Sequence, residues 1–172
     1  AHPYLRERPV RRILAILQDV LAGEGPGRDL TGARLSEPDL SRYYPWMYVA
    51  PNGKVFCAGW QQRTWYLDTR GTGSWTPVAS NNFGHREYGS SVMYDPGKVL
   101  IAGGNPRNNA IPSSLIPTAT VEVIDLGAAN PLWRYVAPMA LPRRQLNTTL
   151  LPDGTVLATG GTSSPGFNDA TA

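Results

Sequence analysis

Two hydrophobic patterns divide this chain near residue 42. In the first part, apolar residues recur at intervals of three and four, which places them on one face of a helix. These residues are Val10, Ile13, Leu14, Leu17, Val20 and Leu21. Pro9 stands at a favourable first-turn position and Gly23 just past the end. The pattern predicts a short amphipathic helix over about residues 10–22, followed by a polar linker to residue 42.

From residue 43 onward the pattern is that of short strands and turns, and it repeats. A tight turn followed by an apolar strand that closes on glycine occurs at residues 51–59, 96–104 and 152–161. Asn52-Gly53 and Asp153-Gly154 are dipeptides that favour two-residue hairpin turns. Another strand-like run precedes each turn. The sequence therefore predicts three β-hairpins.

Two further strands follow each of the first two hairpins, and Trp75 and Trp133 lie on the last strand of each copy. An arginine, Arg86 or Arg143, then stands shortly before the next hairpin. Four antiparallel strands, with glycine after the second strand and tryptophan on the fourth, describe a Kelch-type propeller blade.

The predicted fold is therefore all-β, an incomplete ring of about two and a half Kelch-type β-propeller blades preceded by the N-terminal helix. The blades cover about residues 43–80, 86–138 and 143–172. A propeller closes with four or more blades, so we expect the chain to associate with missing blades or with other copies of itself.

The repeat spacing locates an insertion. Gly53 and Gly97 are 44 residues apart, whereas Gly97 and Gly154 are 57 apart. The additional residues fall in 105–119, after the second strand of the second copy. Insertions of this kind lie on one face of a propeller, often the binding face.

Composition and charge narrow the function classes. The net charge is +3, but the basic residues are scattered, so we expect no nucleic-acid partner. The longest apolar run, Ile13–Leu17, is too short to span a bilayer, and we expect no membrane partner. For the predicted helix over residues 10–22, Asp19 and Glu24 weaken the alternative of a membrane-surface helix. Packing of this helix on the main body is favoured, and oligomerisation through it is a further alternative.

Three segments carry a resemblance to a known family. Residues 44–56, 91–104 and 139–157 resemble successive blades of galactose oxidase, glyoxal oxidase and their bacterial relatives. The likeness covers about 130 residues and does not reach residues 1–42. It implies a copper-radical oxidase that converts a primary alcohol or an aldehyde, with O2, into an oxidised product and hydrogen peroxide. Most of that family is extracellular, but the first residues here have no secretory signal pattern, so localisation stays open.

The family holds one copper ion with two histidines and two tyrosines, and one of these tyrosines is joined to a cysteine by a thioether. This chain departs from that pattern, because neither His2 nor His85 follows a tyrosine. Tyr88 resembles the cross-linked tyrosine locally, but the blade order assigns it to a later repeat. Cys57 follows its hairpin turn, whereas the family's cysteine precedes it. We therefore expect no catalytic residue, metal ligand or cofactor in this chain, and copper only in a parent protein.

The resemblance also implies a substrate-binding rim. Asn108 and Asn109 match positions that contact the sugar in galactose oxidase, though not its residue types. Phe167 matches a phenylalanine that faces the sugar; the alternative is an aromatic side chain that covers a blade edge. Two hypotheses follow. In the first, the chain is the central propeller part of a copper-radical oxidase, is inactive alone, and serves an enzyme whose substrate is a carbohydrate or a small alcohol or aldehyde. In the second, it is a non-catalytic Kelch-type module that binds a glycan or a protein.

Overall fold

A computed structural model describes residues 45–70, 73–106 and 116–164. These residues form ten β-strands and no helix. The helix predicted over residues 10–22 lies outside the described residues. Within them, no helix has the length and apolar character needed to cross a membrane.

The strands form two four-stranded sheets and one hairpin, and every pairing is antiparallel between consecutive strands. Blade one contains β1 (Met47–Val49), β2 (Val55–Cys57), β3 (Arg63–Asp68) and β4 (Ser74–Ser80). Blade two contains β5 (Ser90–Asp95), β6 (Lys98–Ala102), β7 (Val121–Asp125) and β8 (Arg134–Val136). Blade three, as described, contains β9 (Arg144–Leu150) and β10 (Val156–Thr162).

The three hairpins form where the turn residues predict them. Gly53, Gly97 and Gly154 have φ angles of 78°, 74° and 84°, a left-handed conformation that glycine adopts without steric cost. Asn52 Oδ1 accepts a hydrogen bond from Lys54 N at 3.0 Å. Asp153 Oδ1 accepts the matching bond from Thr155 N at 2.9 Å. The first and third turns are therefore closed in the same way.

Apolar residues fill the space between successive sheets. One cluster joins blades one and two; its buried members are Ala50, Phe56, Ala58, Val99, Ile101, Ile124, Leu126 and Trp133. A second cluster joins blades two and three and contains Ala102, Val121 and Leu146. Residues that alternate along β6 divide between the two clusters, because successive side chains of a strand point to opposite faces. Each sheet thus packs face to face on the next.

The first strands of successive sheets are also neighbours. Tyr48 on β1 donates a hydrogen bond from its hydroxyl to Ser91 Oγ on β5, at 2.9 Å. Ser90 Oγ on β5 lies 2.9 Å from Thr148 Oγ1 on β9 and accepts a hydrogen bond from Thr148 N at 3.0 Å. This is the arrangement of the inner strands of a propeller, and the predicted all-β fold of partial propeller blades is confirmed.

Candidate functional site

The connections that follow the second and fourth strands of each blade meet at one end of the sheets, because these two strands run in the same direction. We call this surface the loop face. Its described residues are 58–62, 81–89, 103–106, 116–120 and 137–143. Arg86 N donates to Trp60 O at 2.7 Å, and Arg143 N donates to Thr118 O at 3.1 Å. In blades one and two, the connection after the second strand is therefore hydrogen-bonded to the connection that follows the fourth strand.

A buried ion pair lies beneath the loop face. Arg86 Nη2 contacts Glu122 Oε1 at 2.7 Å, and both side chains are fully buried. Arg86 Nη1 donates to the carbonyl oxygens of Gly103 and Thr120 at 2.9 and 3.1 Å. The guanidinium carbon also lies 4.8 Å from the centre of the Phe83 ring. Burial lowers the pKa of the Arg86 guanidinium, and the hydrogen bond to Glu122 acts in the opposite direction.

Glu122 accepts hydrogen bonds on both carboxylate oxygens. Oε1 accepts from Phe83 N at 3.1 Å as well as from Arg86. Oε2 accepts from Asn82 N and Asn82 Nδ2, each at 2.7 Å. A buried carboxylate requires such partners to offset its lost hydration. Glu122, which is on β7 of blade two, therefore fixes the connection that enters blade two from blade one.

The diglycine after β6 has a steric cause. A Cβ atom on Gly104 would lie 2.8–2.9 Å from the backbone of Arg86, and one on Gly103 would lie 2.5 Å from Arg143 O. Gly103 and Gly104 also have positive φ angles, of 64° and 88° respectively. The inter-blade connections pass so close to this strand end that no side chain fits between them.

The same arrangement recurs one blade later. Arg143 Nη1 donates to Gly160 O at 2.7 Å, as Arg86 Nη1 donates to Gly103 O. The two arginines thus occupy matching positions, as the repeat predicts. Tyr88 and Gln145 also match, because both are non-glycine residues in the left-handed conformation, with φ angles of 58° and 57°. Gln145 N donates to Tyr88 O at 2.7 Å, so Tyr88 has a repeated backbone role in the inter-blade connection.

The predicted substrate-binding residues Asn108, Asn109 and Phe167 lie outside the described residues. The structure does describe the chain on either side of the inserted loop. Asn105 is buried and pairs with Glu87 through two backbone hydrogen bonds of 2.8 and 2.9 Å. Thr118 N donates to Gly104 O at 2.9 Å at the other end of the loop. The connection 103–120 is thirteen residues longer than its counterpart 58–62 and emerges on the loop face.

Cys57 and His85, two residues of types that the resemblance implies for a copper centre, lie within the described residues. Cys57 is buried within β2, where the residues directly opposite are Met47 and Trp65 rather than a tyrosine. Burial raises the pKa of its thiol to about 11. His85 packs against the Trp60 ring, with ring centres 5.5 Å apart. Among the described residues, no three His, Cys, Asp or Glu side chains form a group that could hold a metal ion.

Sequence reasoning identified Arg86 from the repeat but missed its partner. Glu122 is a charged residue of β7 that lies between two apolar ones, Val121 and Val123, and all three are buried. A single carboxylate at such a position indicates a buried cation nearby. That pattern indicates a buried cation but does not identify which residue supplies it, because the pair joins residues 36 positions apart.

No protein-family model matches this sequence, and no curated protein matches it either. Solved structures do. A copper complex of a fungal alcohol oxidase of the AA5 family matches with a TM-score of 0.61 and 28% sequence identity. The match covers 70% of this chain and 25% of the oxidase, so the chain spans about a quarter of that protein. The protein YjhT matches with a TM-score of 0.54 and 20% identity, over 70% of this chain and 34% of YjhT, and shares the fold.

Proposed function

We propose that this chain forms the central part of the propeller of a copper-radical oxidase of the galactose oxidase and glyoxal oxidase type. Such an enzyme oxidises a primary alcohol or an aldehyde with O2 and releases hydrogen peroxide. The observation that carries the proposal is the structural match to the AA5 alcohol oxidase, at 28% identity over 70% of this chain.

In this proposal the chain supplies scaffold and part of the substrate rim rather than the metal centre. The sequence contains only two histidines, and His85 contacts Trp60 in an inter-blade connection. The buried pair of Arg86 and Glu122 keeps the loop face in place. The inserted loop, with Asn108 and Asn109, and the segment with Phe167 would then contact a carbohydrate or a small alcohol or aldehyde. The copper ligands and the cysteine–tyrosine pair would come from other blades.

The first test compares this chain with the longer protein that its gene encodes, if the coding sequence extends on either side. Copper is titrated into each protein with an optical readout, and hydrogen peroxide is measured with galactose and with methylglyoxal. We expect a Tyr-His pair in a later blade, stoichiometric copper binding and peroxide release from the extended protein, and neither from this chain. Tight stoichiometric copper binding by this chain alone would show that the ligands are misassigned. An extended protein with a closed propeller and no copper site would contradict the proposal.

A second candidate function is a non-catalytic module that binds a glycan or a protein. The observation that favours it is the connection after β6, which is longer by thirteen residues on the loop face. This candidate predicts glycan-array or pull-down binding that is independent of copper. Binding should weaken in Phe167→Ala and when thirteen residues are removed from 105–119, which shortens the connection 103–120 to the length of 58–62. Tyr135→Ala is the matched control, because Tyr135 is an exposed aromatic residue on the outer strand β8. Binding that survives both loop changes would exclude this function.

A further inference from the structure

The first hairpin turn presents an asparagine followed by a glycine to solvent. Asn52 and Gly53 are both exposed in the turn between β1 and β2. No atom of the described residues lies within 4 Å of the place that a Cβ of Gly53 would occupy. The backbone nitrogen of a glycine is the least hindered in a chain, because the residue carries no side chain. A side-chain amide and an accessible backbone nitrogen therefore stand in adjacent residues.

The matching turn of blade three carries an aspartate at the position of Asn52. Gly53 and Gly154 each donate from the backbone N–H to the carbonyl oxygen three residues earlier, at 2.9 and 3.0 Å. Asn52 Oδ1 and Asp153 Oδ1 each accept from the backbone N–H two residues later, at 3.0 and 2.9 Å. That hydrogen bond lowers the pKa of Asp153, so a carboxylate in this turn is ionised at neutral pH. The same turn thus accommodates either side chain.

We propose that Asn52 is a site of spontaneous deamidation and that its aspartate product keeps the turn. Gly53 N attacks Asn52 Cγ, the new N–Cγ bond forms as the Cγ–Nδ2 bond breaks, and ammonia leaves with the proton of the Gly53 N–H. Water then opens the cyclic imide. Opening at the side-chain carbonyl gives aspartate, and opening at the main-chain carbonyl gives isoaspartate.

The turn geometry determines both the rate and the fate of the products. Gly53 N donates to Ala50 O at 2.9 Å, and this bond must break before the nitrogen can attack. The reaction should therefore be slower in the folded protein than in a free peptide. Aspartate only lowers the net charge of +3 by one. Isoaspartate adds a carbon to the main chain and should disturb the register of Val49 opposite Val55. This inference does not depend on the proposed function.

The test incubates the full chain in warm, mildly alkaline buffer and follows each asparagine by peptide mapping and mass spectrometry. Asn82 and Asn147 are the matched controls, because both are exposed but are followed by phenylalanine and threonine. We expect Asn52 to convert at least tenfold faster than either, since only its neighbour lacks a side chain. A peptide that copies residues 48–56 should convert faster than the folded protein. The Asn52→Gln variant should not form the acidic species that ion exchange separates from the aged protein.

The products complete the test. The aspartate species and the Asn52→Asp variant should unfold at the same urea concentration as the unmodified protein. The isoaspartate species, identified by isoaspartyl methyltransferase labelling, should unfold at a lower concentration. The proposal is overturned if Asn82 or Asn147 converts as fast as Asn52, or if Asn52 stays intact after the peptide has fully converted. It is also overturned if Asn52→Asp unfolds at a lower urea concentration than the unmodified protein.

Discussion

Replacing Glu122 with glutamine should destabilise the protein by about 3 kcal/mol. Four donors converge on this carboxylate, two on each oxygen: Arg86 Nη2 and Phe83 N on Oε1, and the two Asn82 nitrogens on Oε2. Glutamine keeps one acceptor oxygen and replaces the other with a donor. Because Asn82 is exposed and can turn to water, the new amide group will face Asn82, and the remaining oxygen will face Arg86.

The free-energy cost then has two parts. The Arg86 guanidinium, fully buried, loses its counter-charge, and the backbone N–H of Asn82 loses its acceptor. Breaking a buried ion pair costs about 3–5 kcal/mol. The cost of Glu122→Gln should lie at the lower end of this range, because glutamine has nearly the same shape and retains one hydrogen bond. A domain is stable by only about 5–15 kcal/mol in total, so this one change should remove a large share.

Urea unfolding followed by circular dichroism measures this effect. Asp95→Asn is the matched control, because it removes one partner of the exposed pair between Asp95 and Lys98 and should change stability little. The double variant Arg86→Met with Glu122→Leu should be more stable than either single variant, since neither charge is then left alone. Equal stability of Glu122→Gln and Asp95→Asn would refute the assignment of this pair as the anchor of the inter-blade connection.

Two further changes test other features of the structure. Gly104→Ala should lower the free energy of unfolding, measured in urea, by about 2 kcal/mol or more, because it combines left-handed backbone strain with contact against the Arg86 backbone. Gly154→Ala, with a similar φ and no neighbour within 4 Å, should lower it by only about 1 kcal/mol. An equal cost at both sites would argue against the close approach of the Arg86 backbone to Gly104. Burial raises the pKa of Cys57 above its unfolded value, to about 11. The stability that the neutral thiol contributes is therefore complete below about pH 9, and it falls by at most about 2–3 kcal/mol as pH rises to 11. This fall in stability should be absent from Cys57→Ala. Parallel curves of unfolding free energy against pH for the two proteins would contradict the prediction.

The hairpins were predictable because local residues determine them. Asn52-Gly53 and Asp153-Gly154 fix both the turn and the register of the strands beside it, and those strands lie where the sequence predicts them. Spacing also predicted the longer connection after β6. Trp75 lies on β4 as predicted, while Trp133 stands one residue before β8.

The contacts between blades could not be derived from the same local patterns. Glu122 pairs with an arginine 36 residues earlier, and Trp133 Nε1 donates to Thr64 Oγ1, 69 residues earlier, at 3.4 Å. Such pairs depend on how sheets stack, which the turn and strand patterns of a single blade do not determine. The substrate rim of Asn108, Asn109 and Phe167 stays a prediction, as do the Kelch type of the blades, the domain boundary at residue 42 and the partners.

The packing of successive blades around a common axis can be trapped with a disulfide. Ser90 Oγ and Thr148 Oγ1, on the inner strands of blades two and three, lie 2.9 Å apart. In a Cys57→Ala background, cysteines at positions 90 and 148 should form an intramolecular disulfide in the folded protein, detected by thiol counting and mass spectrometry. Cysteines at 90 and 74, with position 74 on the outer strand of blade one, should stay reduced. Equal cross-linking of both pairs, or none at 90 and 148, would show that these strands are not the neighbours that a propeller requires.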